Sequence, residues 1–207
     1  MPRRLIAFAP GWSGLPRHSY NPLIKRFEDT GGFDTVSLSY DMGGLGSISQ
    51  TANKCAEVLS ALVGSHDHVT FIGHSMGGLV GRLIPDTLYD TYISLATPHS
   101  GTQAAILGAW WSRSARDMLP SSGLIKSLAD KEVKVPAMAI SAHLDWLVTD
   151  ASLKQKGVEN LKIPWTDHAS VLWSERTFLE IYGWLTYEIF SETGLNNQPG
   201  FSANVDL

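Results

Sequence analysis

Residues 68–78, HVTFIGHSMGG, decide the fold. The apolar run His68–Ile72 is typical of a buried strand, and the pattern over Met76–Leu83 is helical. Ser75 stands between them in G-x-S-x-G, where a strained strand-to-helix turn projects the serine Oγ above the sheet edge. The stretch therefore indicates a serine nucleophile. The alternative is an ordinary glycine-rich turn, but both phosphate-loop patterns, G-x-G-x-x-G and G-x-x-x-x-G-K-[ST], are absent from it.

On either side of this stretch, short apolar segments alternate with helical ones. The other predicted strands are Leu5–Ala9, Asp34–Tyr40, Tyr92–Ala96, Val135–Ile140 and Val158–Ile163. The other predicted helices are Tyr20–Asp29, Ser49–Val63 and Glu175–Phe190. Most strands are continuously apolar, as expected when helices cover both faces of a sheet. The pattern predicts an α/β fold with a mostly parallel sheet of about six strands.

The length of 207 residues fits a single domain. We predict that residues 1–190 form it and that the polar, turn-rich segment 191–207 is a flexible tail. Residues 103–134 separate two strands by about thirty residues, where 2–6 are usual. This insertion is apolar around Trp110 and Trp111, which favours a lid over a cleft, with a dimer contact as the alternative.

Composition excludes several classes of function. The net charge is −4 with no basic block, which argues against nucleic acid as a partner. Cys55 is the sole cysteine, so an intrachain disulfide and a thiolate metal cluster are excluded, and we expect no metal and no cofactor. No apolar run approaches the ~18 residues of a membrane span. The start MPRRLIAFAPGW imitates a signal peptide, but Pro10-Gly11 interrupts it, so we expect a cytoplasmic protein or one released without a Sec signal.

Three segments carry a resemblance to a known family: GHSMGG at 73–78, TPHSGT at 97–102 and DMLPSSGLIKSL at 117–128. They resemble the α/β-hydrolase superfamily, and within it the bacterial lipase and esterase branch. The resemblance covers residues 4–190. The leading antiparallel strands of the family are missing, so the expected fold is a minimal α/β-hydrolase.

The resemblance implies a catalytic triad in the order serine, acid, histidine. Asp145 follows the fifth strand and is similar to the family's acid, with Asp150 in reserve and a surface aspartate without a role as the other possibility. His168 follows the sixth strand and is the one histidine that comes after both Ser75 and Asp145. Asp167 is badly placed to orient its own neighbour, because adjacent side chains of an extended loop point in opposite directions.

The first strand ends in Pro10-Gly-Trp-Ser-Gly14, which resembles the family's oxyanion loop, with Pro10 in place of the usual histidine. The oxyanion hole uses backbone N–H groups, so we expect donors from Met76 and Trp12. Tryptophans cluster on the same loops. We predict that Trp110, Trp111 and Trp146 contact a small-molecule or lipid-like ester substrate, whereas Trp146, Trp165 and Trp173 have core packing as an alternative.

The predicted activity is hydrolysis of a carboxylic ester through an acyl-enzyme on Ser75. A thioesterase, an acyltransferase or a glycan deacetylase would use the same residues and stays open. A non-catalytic binding protein that kept the fold is the alternative from another class.

Overall fold

Six parallel strands form one sheet in the order β2-β1-β3-β4-β5-β6. The computed structural model describes residues 2–12, 21–153, 155 and 158–192. The strands are β1 Arg4–Ala9, β2 Asp34–Ser37, β3 His68–His74, β4 Thr91–Leu95, β5 Ala137–Ala142 and β6 Glu159–Ile163. The helices are α1 Asn21–Asp29, α2 Ile48–Val63, α3 Met76–Leu83, α4 Arg113–Asp117, α5 Gly123–Ala129, α6 Asp150–Leu153 and α7 Glu175–Glu192.

The six predicted strands and four predicted helices all form, and the differences lie at their ends. β2 ends at Ser37 instead of Tyr40, and the chain then turns at Asp41–Gly44, where Gly43 and Gly44 have positive φ. β5 begins at Ala137 because Pro136 has no N–H to donate to a neighbouring strand. β3 continues to His74, two residues beyond the prediction, because His74 still pairs with Leu95 of β4. Helix α7 runs to Glu192, into the segment predicted as a tail, and residues 193–207 lie outside the described part of the chain.

Helices cover both faces of the sheet because alternate side chains of each strand point in opposite directions. Leu5, Ala7 and Ala9 of β1 pack on one side with buried residues of α2, α3 and α5. Ile6 and Phe8 pack on the other side with buried residues of α1 and α7. The central strands β3 and β4 are therefore buried throughout, and β1 is buried from Leu5 to Ala9, as their continuous apolar sequence predicts.

Every strand runs in the same direction, so all six carboxyl ends lie along one edge of the sheet. Ser75 follows β3, in the middle of the sheet, and the loops that carry Asp145 and His168 follow β5 and β6. The fold thus brings three distant stretches of sequence to one edge. Among the described residues, every helix is too short or too polar to span a lipid bilayer.

Candidate active site

Ser75 lies on a strained turn between β3 and α3. Its φ of 52° and ψ of −121° are rare for a residue with a side chain, and its N–H donates to the carbonyl oxygen of Leu95 at 2.8 Å. The glycines around it allow strand and helix to approach closely. A Cβ on Gly77 would lie 2.1 Å from the carbonyl oxygen of Ala9, and one on Gly73 would lie 2.5 Å from the backbone of Gly77. These contacts explain the glycines of G-x-S-x-G.

A continuous chain of contacts joins Ser75, His168 and Asp145. His168 Nε2 lies 3.0 Å from Ser75 Oγ, and His168 Nδ1 lies 2.8 Å from Asp145 Oδ2. The carboxylate is an acceptor only, so it places the imidazole proton on Nδ1 and leaves the Nε2 lone pair facing the hydroxyl. The structure therefore brings together Ser75, Asp145 and His168, the three residues that the sequence singled out, although Ser75 and His168 are 93 residues apart in the chain.

The carboxylate of Asp145 is held from both sides. While Oδ2 faces His168, Oδ1 accepts hydrogen bonds from the N–H groups of Leu147 and Val148, each at 2.9 Å. Its side chain is almost fully buried. The carboxylate is thus fixed in one orientation toward the imidazole, which a solvated surface aspartate would not be.

The two other candidate aspartates have different partners. Asp150, the reserve acid, pairs with Lys162 at 2.9 Å on the surface. Asp167 accepts hydrogen bonds at Oδ1 from the backbone N–H groups of Ala169 and Ser170, at 2.9 and 2.8 Å. These backbone hydrogen bonds lower the pKa of Asp167. Asp167 therefore shapes the loop that carries His168.

His74 is the residue whose part in the site the sequence did not reveal. It is fully buried beside Ser75, and its Nε2 donates to the backbone carbonyl oxygen of His168 at 2.7 Å. The ring centroids of His74 and His168 are 4.9 Å apart. Burial, with the neighbouring His168, lowers the pKa of His74 to about 3. The sequence gives no sign of this contact, because the two residues lie 94 positions apart in the chain.

The two predicted oxyanion donors, Met76 and Trp12, belong to two different segments that both lie near Ser75. Met76 is the first residue of α3, so its N–H has no acceptor within the helix. The loop after β1 passes close to the serine, since a Cβ on Gly11 would lie 3.2 Å from Ser75 Cβ. Trp12 follows in that loop, and its indole Nε1 donates to Ser112 Oγ at 2.9 Å. The Trp12 side chain thus ties this loop to the insertion.

Several solved structures with similar folds are lipases by name. A lipase BlEst2 from Bacillus licheniformis matches with a TM-score of 0.68 at 16% identity, over 93% of this chain and 91% of that one. A monoacylglycerol lipase from Paleococcus ferrophilus matches with a TM-score of 0.68 at 14% identity, over 88% and 94%. The protein has the α/β-hydrolase fold.

Lipase B from Aspergillus fumigatus shares this α/β-hydrolase fold with a TM-score of 0.74 at 16% identity, and the match covers 86% of this chain but 51% of that one. The chain thus spans about half the length of that lipase. No protein-family model matches the sequence, and no curated protein does either.

The tryptophans of this α/β-hydrolase fold lie largely on its surface. Trp110 is 83% exposed, Trp111 53%, Trp146 78% and Trp165 82%. Trp173 is also exposed, so the alternative of core packing for Trp146, Trp165 and Trp173 is wrong. These rings follow strand ends or lie in the insertion, where packing against the sheet does not cover them.

The insertion carries four exposed large apolar side chains. Ile106, Leu107, Trp110 and Trp111 are all exposed, and the two indole rings meet edge to face at 5.3 Å. Its base is fixed, because the N–H of Arg113 donates to the carbonyl oxygen of Leu45 at 2.9 Å.

In the described part of the chain, no group of three His, Cys, Asp or Glu residues could hold a metal ion.

Proposed function

We propose that this protein is a serine hydrolase that cleaves carboxylic esters through an acyl-enzyme on Ser75. The observation that carries the proposal is the contact chain from Ser75 Oγ through His168 to Asp145, at 3.0 and 2.8 Å. Nucleophile, base and orienting acid within hydrogen-bond reach form the arrangement that activates a serine hydroxyl. Lipases and a monoacylglycerol lipase among the similar structures support an ester as the substrate.

In the first half of the reaction, His168 Nε2 takes the proton from Ser75 Oγ as the oxygen attacks the ester carbonyl. Asp145 stabilises the imidazolium that forms, without accepting a proton itself. The negative charge on the former carbonyl oxygen is stabilised by the N–H groups of Met76 and Trp12. Collapse of this intermediate transfers the proton from His168 to the leaving alcohol and leaves an ester on Ser75.

In the second half, water attacks the acyl-enzyme. His168 takes a proton from the water, the same two N–H groups stabilise the oxyanion, and His168 returns the proton to Ser75 Oγ as the carboxylic acid leaves. The contacts of His168 with Ser75 and Asp145 exist before any substrate binds, which supports a preorganised site. Such preorganisation lowers the barrier because the protein dipoles need not reorient during the reaction.

The insertion at 103–134 is proposed to act as a lid that contacts the acyl chain. Its exposed apolar side chains, Trp110 and Trp111 among them, offer a surface that hydrocarbon would cover favourably. Burial of apolar area contributes roughly 25 cal/mol per Å². Trp146, adjacent to Asp145 and largely exposed, is proposed to line the same cleft.

Labelling with a fluorophosphonate probe tests the proposal directly. Such probes form a covalent bond with activated serines, so the wild-type protein should be labelled and Ser75→Ala should not. Ser65→Ala, at an exposed serine, is the matched control and should label like the wild type. Hydrolysis of nitrophenyl esters should follow the same pattern. A folded Ser75→Ala protein that keeps either signal would overturn the assignment.

A further inference from the structure

A polar cavity of about 180 Å³ lies apart from the residues of the proposed mechanism. Its floor is formed by Arg82 at the end of α3, His99 after β4, and Gln155 between α6 and β6. Its rim includes Asp130, Lys131 and Glu132, which follow α5. The three floor residues are buried, and the three charged rim residues are exposed. The cavity is therefore a surface opening with a buried polar floor.

All three floor residues carry polar atoms that no protein group satisfies. Arg82 Nε, His99 Nδ1, and both Nε2 and Oε1 of Gln155 are buried without a hydrogen-bond partner. They are four of the six such side-chain atoms in the described ranges. A buried unsatisfied polar group costs about 1–3 kcal/mol, so several at one cavity indicate a site that a polar ligand completes.

The buried charge at this cavity is positive. Arg82 donates from Nη2 to the backbone carbonyl oxygens of Leu128 and Lys131, and no carboxylate within the described chain forms an ion pair with it. The carboxylates of Asp130 and Glu132 lie on the exposed rim, where water and salt screen them. Lys131 on the same rim adds a second cation. The floor thus favours an anion.

The unsatisfied atoms include the donors that an anion needs. Arg82 Nε–H and the side-chain amide of Gln155 are fixed donors. The other ring nitrogen of His99, Nε2, lies 3.0 Å from Ser94 Oγ. Burial lowers the pKa of His99 to about 3, so the ring is neutral and carries one proton. When Ser94 donates to Nε2, that proton is on Nδ1 and His99 becomes the third donor.

We propose that this cavity binds a small oxyanion, either a carboxylate or a phosphate group, through Arg82, Gln155 and His99. A water molecule takes about 30 Å³ of liquid volume, so the cavity has room for either group with part of the molecule that bears it. The site is separate from the Ser75 chemistry. Arg82 lies seven residues beyond Ser75 along α3, roughly 10 Å along the helix axis.

Thermal unfolding with added anions tests the proposal. Sodium phosphate and sodium acetate are titrated at constant ionic strength, with chloride making up the difference. At 100 times its dissociation constant, a bound anion raises Tm by about 5–10 °C for a domain of this size. A larger shift with phosphate identifies a phosphate group, and a larger shift with acetate identifies a carboxylate; either supports the proposal.

Gln155→Leu is the decisive variant, because the Gln155 side chain makes no hydrogen bond that folding depends on. It should fold, unfold at the same or a higher Tm without phosphate or acetate, and lose the anion-dependent shift. Gln50→Leu, the same change at an exposed position of α2, should keep the full shift. No shift beyond chloride in the wild type, or an equal shift in Gln155→Leu, would overturn the proposal. Both readouts are independent of esterase activity.

Discussion

His74 Nε2 donates a hydrogen bond to the backbone carbonyl oxygen of His168 at 2.7 Å. This contact joins the residue before the proposed nucleophile to the residue proposed as its base. It therefore ties the turn after β3 to the loop after β6, two segments that share no strand pairing. The position of His168 therefore depends in part on the His74 side chain.

Replacement of His74 should slow turnover without weakening substrate binding. His74→Leu removes the donor to His168, and a displacement of the base by about 1 Å can cost 10²-fold in rate. We expect kcat to fall by about 10–100-fold with KM nearly unchanged, and His74→Gln, which can still donate, to recover part of the loss. His143→Leu, at an exposed histidine of the acid loop, is the control. Equal kcat in wild type and His74→Leu would refute the positioning role.

The two buried histidines should make the protein less stable in mild acid. The folded chain keeps His74 and His99 neutral down to a pKa of about 3, whereas the unfolded chain binds a proton on each near pH 6.5. Between about pH 3 and pH 6.5 the unfolded state therefore binds more protons than the folded state, so the free energy of unfolding falls as the pH is lowered. The expected loss from pH 7 to pH 5 is about 2 kcal/mol per histidine.

Urea unfolding at pH 7 and pH 5 measures this loss. His99→Gln should reduce the difference in the free energy of unfolding between pH 7 and pH 5, whatever it does to stability at pH 7. His143→Gln, at an exposed histidine, is the matched control substitution. If His99→Gln left the pH dependence as large as in the wild type, His99 would not be its source.

Neutralising Asp145 should reduce turnover far more than neutralising Asp150. Asp145→Asn keeps the shape and can still accept from Leu147 and Val148, but its amide would donate to His168 Nδ1 and move the imidazole proton to Nε2. That tautomer cannot accept the serine proton, so kcat should fall by about 10⁴-fold. Asp150→Asn removes only the surface pair with Lys162 and should stay within a few-fold of the wild type. Steady-state kinetics with a nitrophenyl ester separates the two, and a reversed order would make Asp150 the acid.

Gly77→Ala should destabilise the protein strongly, and Gly183→Ala should not. A Cβ on Gly77 meets the carbonyl oxygen of Ala9 at 2.1 Å, so β1 and α3 would have to move apart, at about 3 kcal/mol or more. A Cβ on Gly183 meets nothing within 4 Å, and alanine is the better helix former by about 1 kcal/mol. Urea unfolding of the two variants gives both values. A wild-type-like Gly77→Ala protein would show that the close approach is not needed.

Loss of Trp110 and Trp111 should affect long-chain esters more than acetyl esters. The double variant Trp110→Ser, Trp111→Ser removes the two exposed indole rings of the insertion. We expect kcat/KM for a long-chain nitrophenyl ester to fall about ten-fold or more, since each buried CH₂ contributes roughly 0.8 kcal/mol, and the value for the acetate to change little. Tyr187→Ser, an exposed ring on α7, is the control. Equal losses on both esters would count against the lid.

The sequence predicted the sheet and the serine turn because those features depend on local pattern. A strand, a strained turn and a helix leave their signature within 68–83, whereas Asp145 and His168 were named through the family resemblance. Strand ends were less predictable, since the start of β5 depends on one missing backbone N–H, that of Pro136.

Two polar contacts between distant segments left no local pattern in the sequence. The bond from His74 to His168 and the pairing of Arg82 with the backbone after α5 depend on segments that meet only in three dimensions. The sequence also did not predict that Trp146, Trp165 and Trp173 are exposed, because an aromatic residue next to a strand can be either buried or exposed.

Because His168 follows β6, the proposed hydrolysis would become possible only late in the synthesis of each chain. Among the described strands, β6 lies at the edge of the sheet and pairs with β5 alone, and the loop that follows it carries His168. An unfinished polypeptide would therefore lack the proposed proton acceptor even after the serine turn has formed. Fraying of β6 would displace the proposed base while the centre of the sheet stayed intact, so the proposed activity would depend on complete folding of this edge.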